Sequence, residues 1–161
     1  MARNVFYSFH YQNDIFRVMI VRNRWVTYGG QIVSGVIDHA EFEKIQRKGS
    51  RTVKDWINEQ LHGTSVTVVL IGAETLNRPY VQYEIRQSME KGNALIGVYI
   101  NNLKDSTGNL SLACNSHTCI GYKNNTQIYF DRIATIYDYC RDDGYNNLNL
   151  WVESAVKNIR K

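Results

Sequence analysis

Two side chains in the middle of the chain, Tyr80 and Glu84, have types and a spacing that can do chemistry. They are four residues apart, so in a helix they lie on the same face. A glutamate carboxylate can stabilise positive charge on a sugar ring, as glycosidase carboxylates do, and an aromatic neighbour can supply a stacking surface. On spacing alone, a solvated helix carboxylate beside a half-buried tyrosine is the simpler interpretation.

A second set of candidate residues follows the first two predicted strands. They are Phe9, His10, Tyr11, Ser34, Gly35 and Asp38. Each also has a structural interpretation, because His10 can simply begin a loop, Asp38 is a typical helix N-cap, and Ser34-Gly35 can be a flexible loop.

Apolar periodicity predicts an α/β protein with one domain over residues 1–161. The clearest strand is at residues 65–71, where nearly continuous apolar character indicates burial on both faces. Further strands are predicted at residues 3–9, 94–100 and 127–130, and residues 31–37 are predicted as a short strand or an extended loop. Helices are predicted at residues 15–26 (N-capped by Asp14), 38–48, 52–62, 79–91 and 147–159. This alternation favours a doubly wound parallel sheet of order 2-1-3-4-5, with residues 65–71 beside residues 3–9. Such a sheet binds ligands at the carboxyl ends of its strands, where both sets of candidates fall.

Several signatures are absent from the sequence. There is no Gly-x-Gly-x-x-Gly fingerprint, no Walker loop and no Gly-x-Ser-x-Gly elbow. Cys114, Cys119 and Cys140 are an odd number in one late stretch, which is a poor disulfide framework. Cys114, His117 and Cys119 lie close together, but structural zinc usually takes four ligands in paired clusters, so no metal is expected.

The formal net charge of +4 favours anionic partners, among them dinucleotides, without choosing between them. No basic stripe with interleaved aromatics suggests a nucleic-acid partner. The apolar runs are too short to span a bilayer and no secretory signal opens the chain. The sequence therefore predicts a cytoplasmic protein with no membrane partner.

Three segments together resemble the TIR domain. Residues 5–9 (VFYSF), with Asp14 a few positions on, are similar to the opening TIR strand. Residues 36–38 (VID) are similar to the step after the BB loop, and residues 80–84 (YVQYE) resemble the Trp-x-x-x-Glu motif with Tyr in place of Trp. With His10 and residues 21–25 included, the pattern most resembles the TIR-like branch found in Thoeris anti-phage systems.

The resemblance implies a flavodoxin-like fold and an enzyme that consumes NAD as its substrate, with no separate cofactor. Glu84 would be the catalytic residue that cleaves the nicotinamide–ribose bond, with Tyr80 or Phe9 as a stacking wall and His10 facing the pyrophosphate or a ribose. The product would be a cyclic ADP-ribose isomer that signals to a separate effector. The segment from Ser34 to Asp38 would cover the site or mediate self-association. We expect Glu84 to be half exposed, with Glu74, Glu90 and Glu153 as unreactive controls.

Two other functions stay open at the level of sequence. One is a non-catalytic TIR module that acts as an adaptor by self-assembly. The other is a flavodoxin-like or response-regulator-like domain, which would want an acidic pair after the first strand, where this chain has residues 9–11 (FHY). Hydrolysis and cyclisation of NAD also stay open, because the outcome depends on which nucleophile reaches the ribose cation first.

Overall fold

A five-stranded parallel sheet lies at the centre of the computed structural model, which describes residues 3–27, 32–34 and 47–159. The strands in chain order are β1 (Arg3–Ser8), β2 (Ile32–Ser34), β3 (Val66–Ile71), β4 (Ala94–Tyr99), β5 (Cys119–Lys123), β6 (Thr126–Tyr129) and β7 (Thr135–Asp138). The helices are α1 (Tyr11–Thr27), α2 (Ser50–Leu61), α3 (Pro79–Lys91), α4 (Phe130–Ile133) and α5 (Gly144–Ile159), with a 3-10 turn at Thr75–Asn77. The order of the parallel sheet is β2-β1-β3-β4-β7, so the predicted α/β class is confirmed and β3 lies beside β1.

Helices cover the sheet on both faces. Helices α1 and α5 pack on one face, where Val18 and Trp25 from α1 and Leu148 from α5 join a buried cluster. Helices α2 and α3 pack on the other face, where Ile57 and Ile85 are buried. Every residue of β3 is buried, as its nearly continuous apolar sequence predicts for a strand covered on both sides.

The prediction for the last strand is wrong. Residues 126–129 form β6, which pairs antiparallel with β5 in a separate two-stranded sheet, and Phe130 begins α4. The fifth strand of the parallel sheet is β7, which pairs with β4. Gly97 of β4 gives the physical reason, because a Cβ atom there would lie 2.6 Å from the Phe130 ring. The missing side chain lets the buried Phe130 pack against β4 instead of continuing a strand.

Helix α1 begins four residues before its predicted start, so Asp14 is not an N-cap. Its side chain lies in the first turn and is almost completely buried. It forms an ion pair with Arg17 (Nη1 to Oδ1, 3.6 Å) and accepts a hydrogen bond from the Thr75 hydroxyl at 3.4 Å. Any side chain at Gly72 would overlap the Asp14 carboxylate. Burial raises the pKa of Asp14, and the Arg17 charge opposes that shift.

The predicted helix at residues 79–91 is confirmed by α3, which begins at Pro79 and ends at Gly92 in a left-handed conformation with φ of 89°. The prediction for residues 31–37 is confirmed only at β2. Gly35, Asp38 and most of the helix predicted at residues 38–48 lie outside the described residues. Within the described ranges, no helix is long and apolar enough to cross a membrane.

Candidate active site

A cavity of about 510 Å³ opens at the carboxyl end of β1. Three elements build its walls: the end of β1 with the start of α1, the middle of α2, and the first two turns of α3. The residues that line it are Phe6, Tyr7, Phe9, His10, Tyr11, Gln12, Lys54, Trp56, Ile57, Arg78, Pro79, Tyr80, Val81, Tyr83, Glu84 and Arg86. This is the edge at which doubly wound sheets bind ligands, and the volume suits a small-molecule site.

Glu84 is the only acid among the described lining residues. It lies one helical turn after Tyr80 on α3, and its exposed fraction is only 9%. Burial raises the pKa of its carboxyl group to about 8. The neighbouring Ser8 hydroxyl lowers the pKa of Glu84 in part. The Ser8 hydroxyl itself is buried and makes no hydrogen bond of good geometry with any described residue. The wall of the cavity thus holds an acid that is poised to change its charge.

His10 forms the wall next to the end of β1. Its exposed fraction is 9%, and its Nδ1 atom is buried without a hydrogen-bond partner among the described residues. Burial lowers the pKa of the imidazole, and the positive charge of Arg78 lowers it further. A neutral imidazole with an unused ring nitrogen is suited to bind a hydroxyl or phosphate oxygen of a ligand.

Cationic side chains surround the same cavity. The guanidinium of Arg78 donates to Glu74 Oε2 at 3.1 Å, and the ammonium of Lys54 lies 5.3 Å from the centre of the Tyr83 ring. Arg86 donates to the main-chain carbonyl of Ile120 at 2.6 Å. These three cations against one buried acid make the cavity suitable for a ligand that carries negative charge.

Comparison with known families places this fold and cavity in context. The Thoeris protein ThsB, TIR-like domain family matches residues 6–105, which include the second half of β1, all of α3 and Glu84. The chain belongs to the ThsB family of TIR-like domains. It is also 37% identical over 191 residues to "Putative cyclic ADP-D-ribose synthase ThsB1" of Bacillus cereus (strain MSX-D12). That alignment covers 94% of this chain and 100% of the relative.

In this member of the ThsB family, one cavity brings together most of the residues predicted from the sequence. They are Phe9, His10, Tyr11, Tyr80 and Glu84. The rings of Phe9 and Tyr11 lie 5.9 Å apart and form one aromatic wall. The backbone of Ser34 pairs with Val5 at the end of β2, whereas Gly35 and Asp38 lie outside the described residues.

Three lining residues that the sequence interpretation missed are Lys54, Trp56 and Arg78. Lys54 and Trp56 come from α2, whose sequence shows only an amphipathic helix. Arg78 lies directly before the predicted helix start at Pro79, and this position could have identified it as a candidate site residue. A residue there lies at the ligand-binding edge of the sheet.

The cysteines of the ThsB-like chain are all free in the structure, with Cys114 buried and Cys140 exposed. The Nδ1 atom of His117 is within hydrogen-bond distance of Asp131 Oδ1, at 3.0 Å. Across the described ranges, no three His, Cys, Asp or Glu side chains are placed to hold a metal ion.

Proposed function

We propose that this protein cleaves the nicotinamide–ribose bond of NAD and closes the product to a cyclic ADP-ribose isomer. The observation that carries the proposal is the buried carboxyl group of Glu84 in the wall of a cavity whose other described lining residues include aromatic and cationic side chains but no second acid. Membership of the ThsB family and the name of the Bacillus cereus relative, a cyclic ADP-D-ribose synthase, support this choice of substrate and product.

The reaction needs stabilisation of charge more than proton transfer. When the bond between ribose C1′ and the pyridinium nitrogen breaks, the electron pair stays on nitrogen and nicotinamide leaves as a neutral molecule. Positive charge passes to the ribose ring. A single carboxylate beside C1′ stabilises that charge and can also accept a hydrogen bond from a ribose hydroxyl. Phe9 and Tyr80 provide flat apolar surfaces for the rings of the substrate.

The second step decides the product. An atom of the adenine or of its ribose attacks C1′, forms the new bond and loses a proton, which gives a cyclic product. If water attacks first, the product is linear ADP-ribose. Walls of aromatic side chains such as Phe6, Trp56 and Tyr83 exclude water, which favours ring closure. A released cyclic nucleotide would then act as a diffusible signal on a separate effector protein.

The raised pKa of Glu84 agrees with this role. At neutral pH the carboxyl group is largely protonated in the cavity, because ionisation there is costly. The pyridinium ring of NAD brings a positive charge into the same cavity. An opposite charge nearby favours the ionised carboxylate, so binding of the correct substrate would itself generate the catalytic form.

The test is to incubate the purified protein with NAD and to identify the products by mass spectrometry. We expect free nicotinamide and a nucleotide lighter than ADP-ribose by one water molecule. In Glu84→Gln, kcat should fall about 100-fold or more, with a much smaller change in KM, because the stabilised charge exists only in the transition state.

Glu90→Gln is the matched control, since Glu90 is an exposed acid on the same helix. It should keep turnover within a few-fold of the wild type. Full activity in Glu84→Gln would refute the assignment of Glu84. Failure of the wild type to release nicotinamide, in any assembly state, would instead favour a non-catalytic adaptor.

A further inference from the structure

Arg78 occupies an unusual position at the rim of the cavity. It is the N-cap residue of α3, and the following Pro79 keeps its backbone extended, with φ of −85° and ψ of 130°. Arg78 therefore lies just outside the helix, and its side chain forms part of the cavity wall. The position requires no charge for capping, because the Arg78 side chain makes no capping hydrogen bond.

Glu74 holds the Arg78 side chain in place, and Asn13 in turn holds Glu74. Glu74 Oε2 accepts one hydrogen bond from Arg78 Nη2 at 3.1 Å and another from Asn13 Nδ2 at 2.5 Å. These two bonds and the Arg78 charge hold the pKa of Glu74 below its usual value, so its carboxylate is ionised at neutral pH. An arginine fixed in this way loses less conformational entropy when it binds a ligand.

Some buried polar atoms of the residues that line the cavity have no hydrogen-bond partner among the described residues. Arg78 Nε is buried and has no hydrogen-bond partner among the described residues, and the same is true of His10 Nδ1 in the same cavity. The Tyr7 hydroxyl, from another residue of the wall, is also buried and unpaired. Buried polar atoms are usually paired, so these unpaired atoms around one cavity indicate a missing polar partner. A phosphate oxygen is the natural partner for a guanidinium and for an imidazole N–H.

We propose that Arg78, positioned by Glu74, binds a phosphate group of the substrate, so that the site selects a dinucleotide over a nicotinamide nucleoside without phosphates. This rests on the proposed function and names the group that the cationic wall recognises. Arg78 contacts the substrate, His10 supplies a second hydrogen bond, and Glu74 is a positioning residue. Arg86 is a weaker candidate because its guanidinium already binds the Ile120 carbonyl.

The kinetic experiment separates substrate binding from turnover. In Arg78→Gln, KM for NAD should rise about 10- to 100-fold while kcat stays within about threefold, because the phosphate contact is the same in the ground state and the transition state. Glu74→Gln should raise KM by a smaller factor, and Arg78→Lys should restore part of the loss. Arg141→Gln is the control, since Arg141 is 79% exposed and lies outside the cavity.

A purely structural role for Arg78 predicts a different pattern. In that case Arg78→Gln would lower the melting temperature and reduce kcat without a selective rise in KM, and this result would overturn the proposal. A binding measurement makes the outcome independent of catalysis. Calorimetric titration with ADP-ribose should show at least about tenfold weaker binding to Arg78→Gln than to wild type, with adenosine affected little. Equal ADP-ribose affinity would refute the phosphate contact even if NAD cleavage is confirmed, whereas weaker binding would support it even if no cleavage is found.

Discussion

Glu84 would be an ordinary helix carboxylate if its side chain faced water, and the sequence favoured a half-exposed position. The structure contradicts that expectation, because only 9% of the residue is exposed. Spacing along a helix identifies the face that carries Tyr80 and Glu84, but not what covers that face. The cavity that Glu84 lines is also lined by residues distant in sequence, namely Phe6, Trp56 and Ile57, which belong to one hydrophobic cluster.

Burial of Glu84 makes the stability of the protein depend on pH. Its pKa is about 8 in the folded protein and near 4.5 when unfolded. Between these values the unfolded chain has released a proton that the folded chain keeps, so this contribution to the free energy of unfolding falls as pH rises through the window. In Glu84→Gln the side chain cannot ionise, so this variant does not lose stability in that way as pH rises. Its melting temperature relative to wild type should rise between pH 5 and pH 9, by the equivalent of a few kcal/mol at most.

Thermal unfolding of both proteins across this pH range checks the prediction. Glu90→Gln serves as the control, because Glu90 is exposed on the same helix and its replacement should give a nearly constant difference. A constant difference for Glu84→Gln as well would show that its carboxyl group is not desolvated. Glu74 is unsuitable as a control, contrary to the expectation from sequence, because it holds both Arg78 and Asn13.

At the scale of elements, one buried side chain attaches α1 to the loop after β4. Arg17 donates to the carbonyls of Leu103 (Nε, 2.8 Å) and Asn109 (Nη2, 3.0 Å), and it also pairs with Asp14. Arg17→Met would remove both of these hydrogen bonds and would leave the buried Asp14 carboxylate without its ion pair. We expect a loss of about 3–5 kcal/mol in the free energy of unfolding, measured with chemical denaturant.

Arg141→Met is the matched control, because Arg141 is 79% exposed and its pair with Asp142 is correspondingly weak. The loss there should be under about 0.5 kcal/mol. Hydrogen exchange should also become faster in Arg17→Met for the amides of residues 103–109. An effect below about 1 kcal/mol would mean that the loop is anchored by other contacts.

The helices and strands that could be predicted from the sequence are those whose own residues mark their type and their ends. Strand β3 is apolar at every position except Thr67, and α3 has Pro at its start and Gly directly after its end. Strands β6 and β7 could not be distinguished in this way, because both are four residues long and only partly buried. What separates them is the packing of Phe130 against Gly97, a contact between residues 33 positions apart in sequence.

At the scale of the whole molecule, the parallel sheet explains why the site could be anticipated in part. The carboxyl ends of β1 and β3 meet at one edge, so the segment with His10 and the helix with Glu84 had to approach each other. The contribution of α2 could not be anticipated, because nothing in its sequence indicates how far along the sheet it packs. The cavity has walls from β1 with α1, from α2 and from α3, and this arrangement depends on both the sheet topology and the packing of α2.

The same topology bears on self-association. Strand β2 stands at one edge of the described sheet and runs parallel to β1, so the chain leaves Ser34 at the same end as the cavity. The segment that the sequence predicts to mediate self-association begins at Ser34, so a second copy that docks at Ser34 would lie near the rim of the site. We predict that specific NAD-cleaving activity rises over about a hundredfold range of protein concentration, in step with dimers or larger assemblies seen by light scattering. Gly35→Arg should abolish that rise, while Leu150→Arg, on the exposed face of α5, should leave it unchanged. A flat activity curve with a monomer throughout would mean that one copy of the chain forms a complete site.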